Sequence, residues 1–339
     1  MKAALIGLGP HGKRVMDAIA KLDGIELSAV VDQRAEALQA AEIPPNAKCY
    51  LSANELWADQ QVDLVCITTN GPSHAPIALE AMTQGVHYIM VEKPMACSVV
   101  DCERMIDAAN RYGARLSVNQ SRRHDPLYRW LRDRIHSGEW GTPRCVWIQR
   151  PGIGLGCLAT HSFDLARFLT GRDVEQVTAW VDEPLGKNPR GAQFIDPGGL
   201  VVLEMGSGLR AVITQIEDGA GPMSVELDFT AGRVRLDEKL GTVEIIERDM
   251  AIQPGPGRPA VFRQTTAPDG MTAKTNMATM LQGVLQELVS DQFLECEALH
   301  GKIAIEVLVA AYVSHRNGHA PVALSELSQE DKELCLQVT

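Results

Sequence analysis

Six residues near the start of the chain, Gly7-Leu8-Gly9-Pro10-His11-Gly12, do most to limit what it can fold into. Their G-x-G-x-x-G spacing comes after the apolar run Ala3–Leu8 and precedes a segment in which Val15, Met16 and Ile19 recur on one helical face. Glycines so placed allow a tight strand-to-helix turn, the usual opening of a parallel sheet covered by helices. With 29 glycines in 339 residues a chance match is easy, so the reading depends on the pattern further along the chain. Strand-like runs recur at Glu26–Asp32, Cys49–Leu51, Leu64–Thr68, His87–Val91 and Arg115–Val118, with helix-period segments between them. Together they predict an α/β domain over residues 1–120. Within it Ser73 is placed to cap a helix with Pro76 in its first turn and Gly85 at its end. Ser98-x-x-Asp101 resembles a capping box for a second helix closed by Gly113.

From about Arg144 the texture changes to strand-like runs with few helices between them: Arg144–Gln149, Val174–Asp182, Leu200–Glu204, Leu209–Glu217, Ser224–Thr230, Arg233–Leu236 and Thr242–Glu247. Consecutive strands imply antiparallel hairpins. Helices at Pro126–His136, His161–Leu169, Asn276–Val289 and Lys302–Arg316 are expected to cover one face of that sheet. Residues 121–339 therefore read as an α+β domain with an open, predominantly antiparallel sheet. Gln253–Gly270, rich in Pro and Gly, reads as a loop or sheet-edge excursion.

Charge narrows the partners. Lys and Arg total 32 against 43 Asp and Glu, a net charge of −11, the wrong sign for a protein that neutralises phosphate backbones or an anionic bilayer. Nucleic acid and membrane are thus not expected. The eight cysteines form no C-x-x-C pair and no zinc-like spacing, so no metal is expected and a reduced cytoplasmic setting fits them. No stretch reaches the roughly 18 uninterrupted apolar residues of a spanning helix.

The glycine turn also carries chemistry. Backbone without Cβ admits a pyrophosphate to the unpaired N–H groups and positive dipole end of a helix. Asp32 lies 20 residues beyond Gly12 at the end of the second strand, where an acid accepts hydrogen bonds from a ribose diol. Gly7, Gly9, Pro10, His11, Gly12, Asp32 and Gln33 are therefore candidate NAD contacts. Arg34, just past the acid, can pair with a 2′-phosphate, which keeps NADP open.

Further stretches resemble the Gfo/Idh/MocA oxidoreductases, the glucose–fructose oxidoreductase and inositol dehydrogenase family, over nearly the full length. Thr69-Asn70-Gly71-Pro72-Ser73-His74 looks like that family's T-P-N-x-x-H, with Asn70 and Gly71 departing from Pro and Asn. Glu92-Lys93-Pro94 is an intact E-K-P, Arg123-His124-Asp125-Pro126 is similar to the R-F-x-P entry to the second domain, and His161-Ser162-Phe163-Asp164 matches H-x-x-D. Ala310–Ser314 with Gly318 resembles the closing helix. The resemblance implies hydride transfer between a nicotinamide and a sugar, inositol or related polyhydroxy carbon. It further implies that Thr69, Asn70, His74 and Glu92 lie near the cofactor.

By the same resemblance, Lys93 bonds the reacting hydroxyl and relays its proton, with Glu92 orienting it, and His161 is a second proton-transfer group. Cys157 would join Lys93 and His161 around the substrate, while Arg122, Arg123 and Arg150 either grip a carboxylate or phosphate on it, Arg123 foremost, or are surface charges. Many members carry Asp four residues before this His; here the position is Cys157, so the usual carboxylate–imidazole pair cannot form. Asp164, one turn beyond His161, either meets the helix dipole or polarises the imidazole. A small polar substrate and a homodimer or homotetramer built through the second sheet are expected. Two rivals stand beside a dehydrogenase: a nicotinamide-binding sensor or partner without turnover, and an enzyme that recycles tightly held NAD during elimination or isomerisation.

Overall fold

The computed structural model describes all residues except Ile153, Lys187, Pro189, Ala220, Met250, Gln253, Pro254, Arg258, Thr275, Asp291, Gln292 and Thr339. The Pro/Gly-rich stretch 253–270 includes three of these positions, so the reading of it as an excursion lies partly outside the described residues.

The first half alternates β1 (Lys2–Ile6), α1 (Pro10–Ile19), β2 (Glu26–Val31), α2 (Ala35–Gln39), β3 (Lys48–Tyr50), α3 (Ala53–Asp59), β4 (Leu64–Ile67), α4 (Gly71–Thr83), β5 (Tyr88–Val91), α5 (Val99–Tyr112) and β6 (Arg115–Val118). The six strands are parallel in the order β3-β2-β1-β4-β5-β6. Strand order reverses between β1 and β4, which opens a crevice at their carboxyl ends. Strands with both faces covered must be apolar throughout, and β4 is Leu-Val-Cys-Ile, buried at every position. Ser98 accepts from the Asp101 amide and Gly113 closes α5 in the left-handed conformation, as expected. Ser73 does not cap α4. The helix starts two residues earlier at Gly71, with Pro72 in its first turn, and the Ser73 hydroxyl bonds Asn70 and Thr69 instead.

The second half contains α6 (Pro126–Ser137), β7 (Pro143–Pro151), α7 (Thr160–Thr170), β8 (Val174–Val181), β9 (Gly199–Met205), β10 (Leu209–Ile216), β11 (Ser224–Phe229), β12 (Gly232–Asp237), β13 (Thr242–Arg248), β14 (Phe262–Thr266), α8 (Met277–Leu288), α9 (Ala298–Arg316), β15 (Val322–Ala323) and α10 (Gln329–Glu333). One turn of π-helix, Leu155–Ala159, leads into α7. The nine-stranded sheet runs β14-β13-β12-β11-β7-β10-β9-β8-β15. Not every neighbour is a hairpin. β7 enters the middle of the sheet and pairs with β10 in parallel, because the α7 crossover separates β7 from the later strands.

Packing of the helices departs from expectation at α8. While α7 and α9 lie on the second sheet, Leu281, Val284, Leu285 and Leu288 of α8 share a core with Ala3, Leu5, Val15 and Ile19 of the first domain. An apolar stripe names a buried face but not the surface that buries it. β14, all five residues exposed, and the two-residue β15 escaped the sequence pattern because neither alternates. No helix among the described residues is long and apolar enough to cross a membrane.

Candidate active site

The glycine turn is built from both sides. The Gly7 amide donates to Val31 O at 2.8 Å, and the Thr68 hydroxyl donates to Gly7 O at 2.6 Å, tying the turn to β2 and β4. A Cβ on Gly12 would lie 2.1 Å from Gly7 O, so this glycine is required for the helix to pack on the turn. Gly9 differs: a Cβ there meets nothing within 4 Å, and Gly9 precedes α1 with no side chain capping the helix. Open space in front of uncapped amides is what a pyrophosphate needs, so the dinucleotide fits at Gly9, with Pro10 and His11 in the first turn.

Asp32 is buried at the end of β2 and accepts from the Leu8 amide at 2.8 Å, the Arg34 amide at 2.9 Å, and Arg34 Nε and Nη2 at 3.0 and 2.9 Å. Burial pushes its carboxyl up, but the Arg34 hydrogen bonds and the Leu8 amide outweigh that and hold it below the usual value. Arg34 therefore folds back on the acid rather than standing free for a 2′-phosphate, while Gln33 is exposed beside it.

Across the crevice, Thr69 and Asn70 stand exposed or half-buried before α4 and accept from the Ser73 hydroxyl. His74 is buried with Nδ1 2.8 Å from Pro94 O and Nε2 3.3 Å from Thr69 O. Burial lowers its pKa, so the ring is neutral and its single N–H serves only one of the two carbonyls, Pro94 O being the nearer. His74 thus packs between the Thr69 loop and the Pro94 loop.

Glu92, buried after β5, does not touch Lys93 as expected. Its Oε1 meets His11 Nε2 at 2.7 Å and accepts from Asn119 Nδ2. Burial raises its carboxyl, and the His11 hydrogen bond, with the Lys93 charge behind it, more than reverses this, leaving it ionised. The Lys93–Pro94 peptide is cis. Lys93 instead reaches the second domain, where Nζ donates to Cys157 O at 2.7 Å and lies 3.8 Å from Cys157 Sγ. The contact is with main chain, so the residue type at 157 does not create it.

His161 stands in the first turn of α7, one turn past Cys157, and its Nδ1 is sealed from solvent without a hydrogen-bond partner. Burial, then the charges of Lys93, Arg122 and Arg150, push the imidazole well below its ordinary value, so it is neutral at pH 7. Asp164 does not polarise it, because both its oxygens accept from Arg123, with Nη2 at 2.7 Å. That pair corrects Arg123 too: its guanidinium is buried on Asp164 and Phe168, so it is not a substrate ligand.

One residue that sequence reading missed is central. Asp196, in the irregular segment between β8 and β9, is buried and accepts from the Gly156 amide through Oδ1 and the Cys157 amide through Oδ2, both at 2.7 Å. Gly154 permits this approach, since a Cβ there would meet Asp196 Oδ2 at 2.0 Å. Burial pushes the Asp196 carboxyl up to about 6, against the two amides and the Lys93 charge. The carboxylate fixes the π-turn whose Cys157 carbonyl holds Lys93. No motif marks the position, which shares its strandless segment with Asp182 and Glu183.

Comparisons with known proteins bear on the family, the fold and the cofactor. Residues 1–120 match the model of the Gfo/Idh/MocA family, described as an oxidoreductase family with an NAD-binding Rossmann fold. The inositol 2-dehydrogenase of Salmonella typhimurium is 30% identical over 232 residues, covering 63% of this chain and 66% of that protein. The myo-inositol 2-dehydrogenase of Thermotoga maritima is 28% identical over 232 residues, covering 63% of this chain and 67% of its own. The chain thus spans about 66% of the length of the inositol dehydrogenases it matches. Among solved structures, the WlbA dehydrogenase of Bordetella pertussis, crystallised with NADH and UDP-GlcNAcA, superposes with a TM-score of 0.79 at 22% identity, over 95% of this chain and 97% of that one. A likeness at that identity shows the fold.

Proposed function

From the premise that this chain belongs to the Gfo/Idh/MocA oxidoreductases, with an NAD-binding Rossmann domain, we propose that it is an NAD-dependent dehydrogenase or reductase of a sugar, inositol or related polyhydroxy compound. The observation that carries this reading is the junction of Lys93 with the Cys157 carbonyl at 2.7 Å, one helical turn from His161, beside the glycine turn's crevice. Nicotinamide, when bound, supplies the hydride acceptor or donor. The Cys157 carbonyl aims Lys93 Nζ, which bonds the substrate oxygen and takes or gives its proton. A neutral His161 offers a second nitrogen for that proton. Glu92, held by His11 and Asn119, sets the charge beneath the crevice, and the uncapped start of α1 binds the pyrophosphate. Asp32 favours NAD over NADP.

The reading extends to a cytoplasmic enzyme that is a homodimer or homotetramer. Trp147 on β7 and Trp180 on β8 are 47% and 43% exposed on the face turned away from the helices, an apolar surface for a second copy to cover. Sedimentation at micromolar concentration is expected to show an oligomer, and a monomer would end that part of the proposal. Turnover itself is tested by absorbance at 340 nm with polyols, aldoses and uronates, each with NAD and NADP. A non-catalytic nicotinamide-binding protein has one observation in its favour, the unoriented His161, and cofactor binding without reaction of any compound would establish it.

A further inference from the structure

Buried arginines in this chain come with carboxylates. Arg122 meets Glu238 at 3.0 Å, Arg123 meets Asp164 at 2.7 Å, and Arg167 meets Asp173 at 2.6 Å. Arg150, half-buried at the carboxyl end of β7, stands apart from them. Among the described residues no carboxylate lies within 4.0 Å of it, and its single hydrogen bond is a long one of 3.5 Å from Nη1 to Leu158 O, in the same π-turn as Cys157. The Arg122 guanidinium crowds it with like charge, and the Arg150 charge acts in turn on His161. Burial, then that neighbouring charge, lowers Arg150 to about 10. With no carboxylate against it, the planar fork of guanidinium donors fits two anionic oxygens.

We propose that Arg150 is the anion-binding element of the substrate site, so that the polyhydroxy substrate carries a carboxylate or phosphate on Arg150 while its reacting hydroxyl lies at Lys93. The proposal rests on the dehydrogenase reading and narrows its substrate class from neutral sugars and polyols to acidic ones. Cys157 suits such a substrate. A carboxylate at that position, beside Lys93, would repel the anion, whereas a thiol does not.

The test uses the NADH complex of the full chain, titrated at constant ionic strength with matched compounds: D-glucuronate, D-galactarate and D-glucose 6-phosphate against D-glucose, galactitol and myo-inositol. NADH fluorescence reports binding, and absorbance at 340 nm reports turnover. An acid is expected to bind or react about 10–100-fold better than its neutral counterpart, the range of one charge-assisted hydrogen bond. Arg150→Met is expected to erase the preference while leaving NADH affinity unchanged, and Arg150→Lys to restore part of it. The carboxylate and phosphate arms identify which anion is preferred. A protein that binds NADH and treats acids and neutral compounds alike, or binds no acid, overturns the proposal and leaves the dehydrogenase reading standing. Preference retained in Arg150→Met overturns it as well. Failure of the wild-type chain to bind NADH would strike the underlying reading instead.

Discussion

Asp196→Asn separates two things that the native carboxylate does at once. At neutral pH the native side chain is ionised although its pKa sits at about 6, above the ordinary 3.8. The folded chain therefore holds this proton more tightly than the unfolded one. Stability from this group is full below pH ~4, falls as pH rises through ~6, and is flat beyond, a cost of about 3 kcal/mol at pH 7. Asparagine removes that cost but offers one carbonyl to the Gly156 and Cys157 amides, leaving one buried N–H unpaired at about 1–3 kcal/mol. Net stability at pH 7 is thus expected to change by no more than about 2 kcal/mol in the stabilising direction. The difference between variant and wild type should grow in the variant's favour by about 2 kcal/mol between pH 4 and pH 6.5. Urea unfolding at half-unit pH steps measures it. In parallel, the wild-type pH–rate profile should carry an acid limb near 6, because a protonated Asp196 no longer offers two acceptors to the turn that aims Lys93. Asparagine should abolish that limb and lower turnover. A stability difference flat from pH 4 to 6.5, or an acid limb near 6 that survives the substitution, would refute the reasoning, since His161 titrates well below that range.

Single contacts set the other expectations. Lys93→Met should lower turnover by ~10²–10⁴ with NADH affinity nearly unchanged, as single-turnover kinetics and fluorescence titration would show. Cys157→Ala should keep most of the activity, because Lys93 bonds the carbonyl rather than the sulfur; a loss as large as that of Lys93→Met would mean that the thiol takes part. Gly9→Ala should leave the melting temperature unchanged and weaken NADH binding, whereas Gly12→Ala, with its Cβ against Gly7 O, should lower thermal stability; equal effects would contradict the open cradle at Gly9. Asp32→Ser should narrow the preference for NADH over NADPH in fluorescence titrations, and tighter NADPH binding by the unmodified chain would contradict the role of Asp32.

The first domain was legible because a strand covered on both faces leaves a nearly continuous apolar run, and β1, β2 and β4 are such runs. Short-range rules also held where the partner is local, as with Ser98 and Gly113. They failed where two solutions compete nearby: Pro72 lets α4 begin ahead of Ser73. Site residues were legible as types but not as partners. Lys93, His161 and Arg123 stand in recognisable motifs, yet the groups that define their roles are Cys157 O, an absent orienter and Asp164, contacts between elements far apart in the chain. Asp196 and Arg150 lie in no motif at all, since one serves a main-chain turn and the other is distinguished only by what does not surround it.

The docking of α8 has a consequence for how the chain is made. The layer it completes, with Ala3, Leu5, Val15 and Ile19, belongs to the first domain, but residues 277–288 leave the ribosome about 160 residues after β6. At ~5–20 residues per second the nascent first domain waits roughly 8–30 s with that apolar face uncovered. Release of the finished chain, rather than completion of residues 1–120, is then the event that seals the nucleotide-binding half. A fragment cut at residue 120 should bind the dye ANS and melt without cooperativity, and adding residues 277–288 in trans or by fusion should restore a sharp transition.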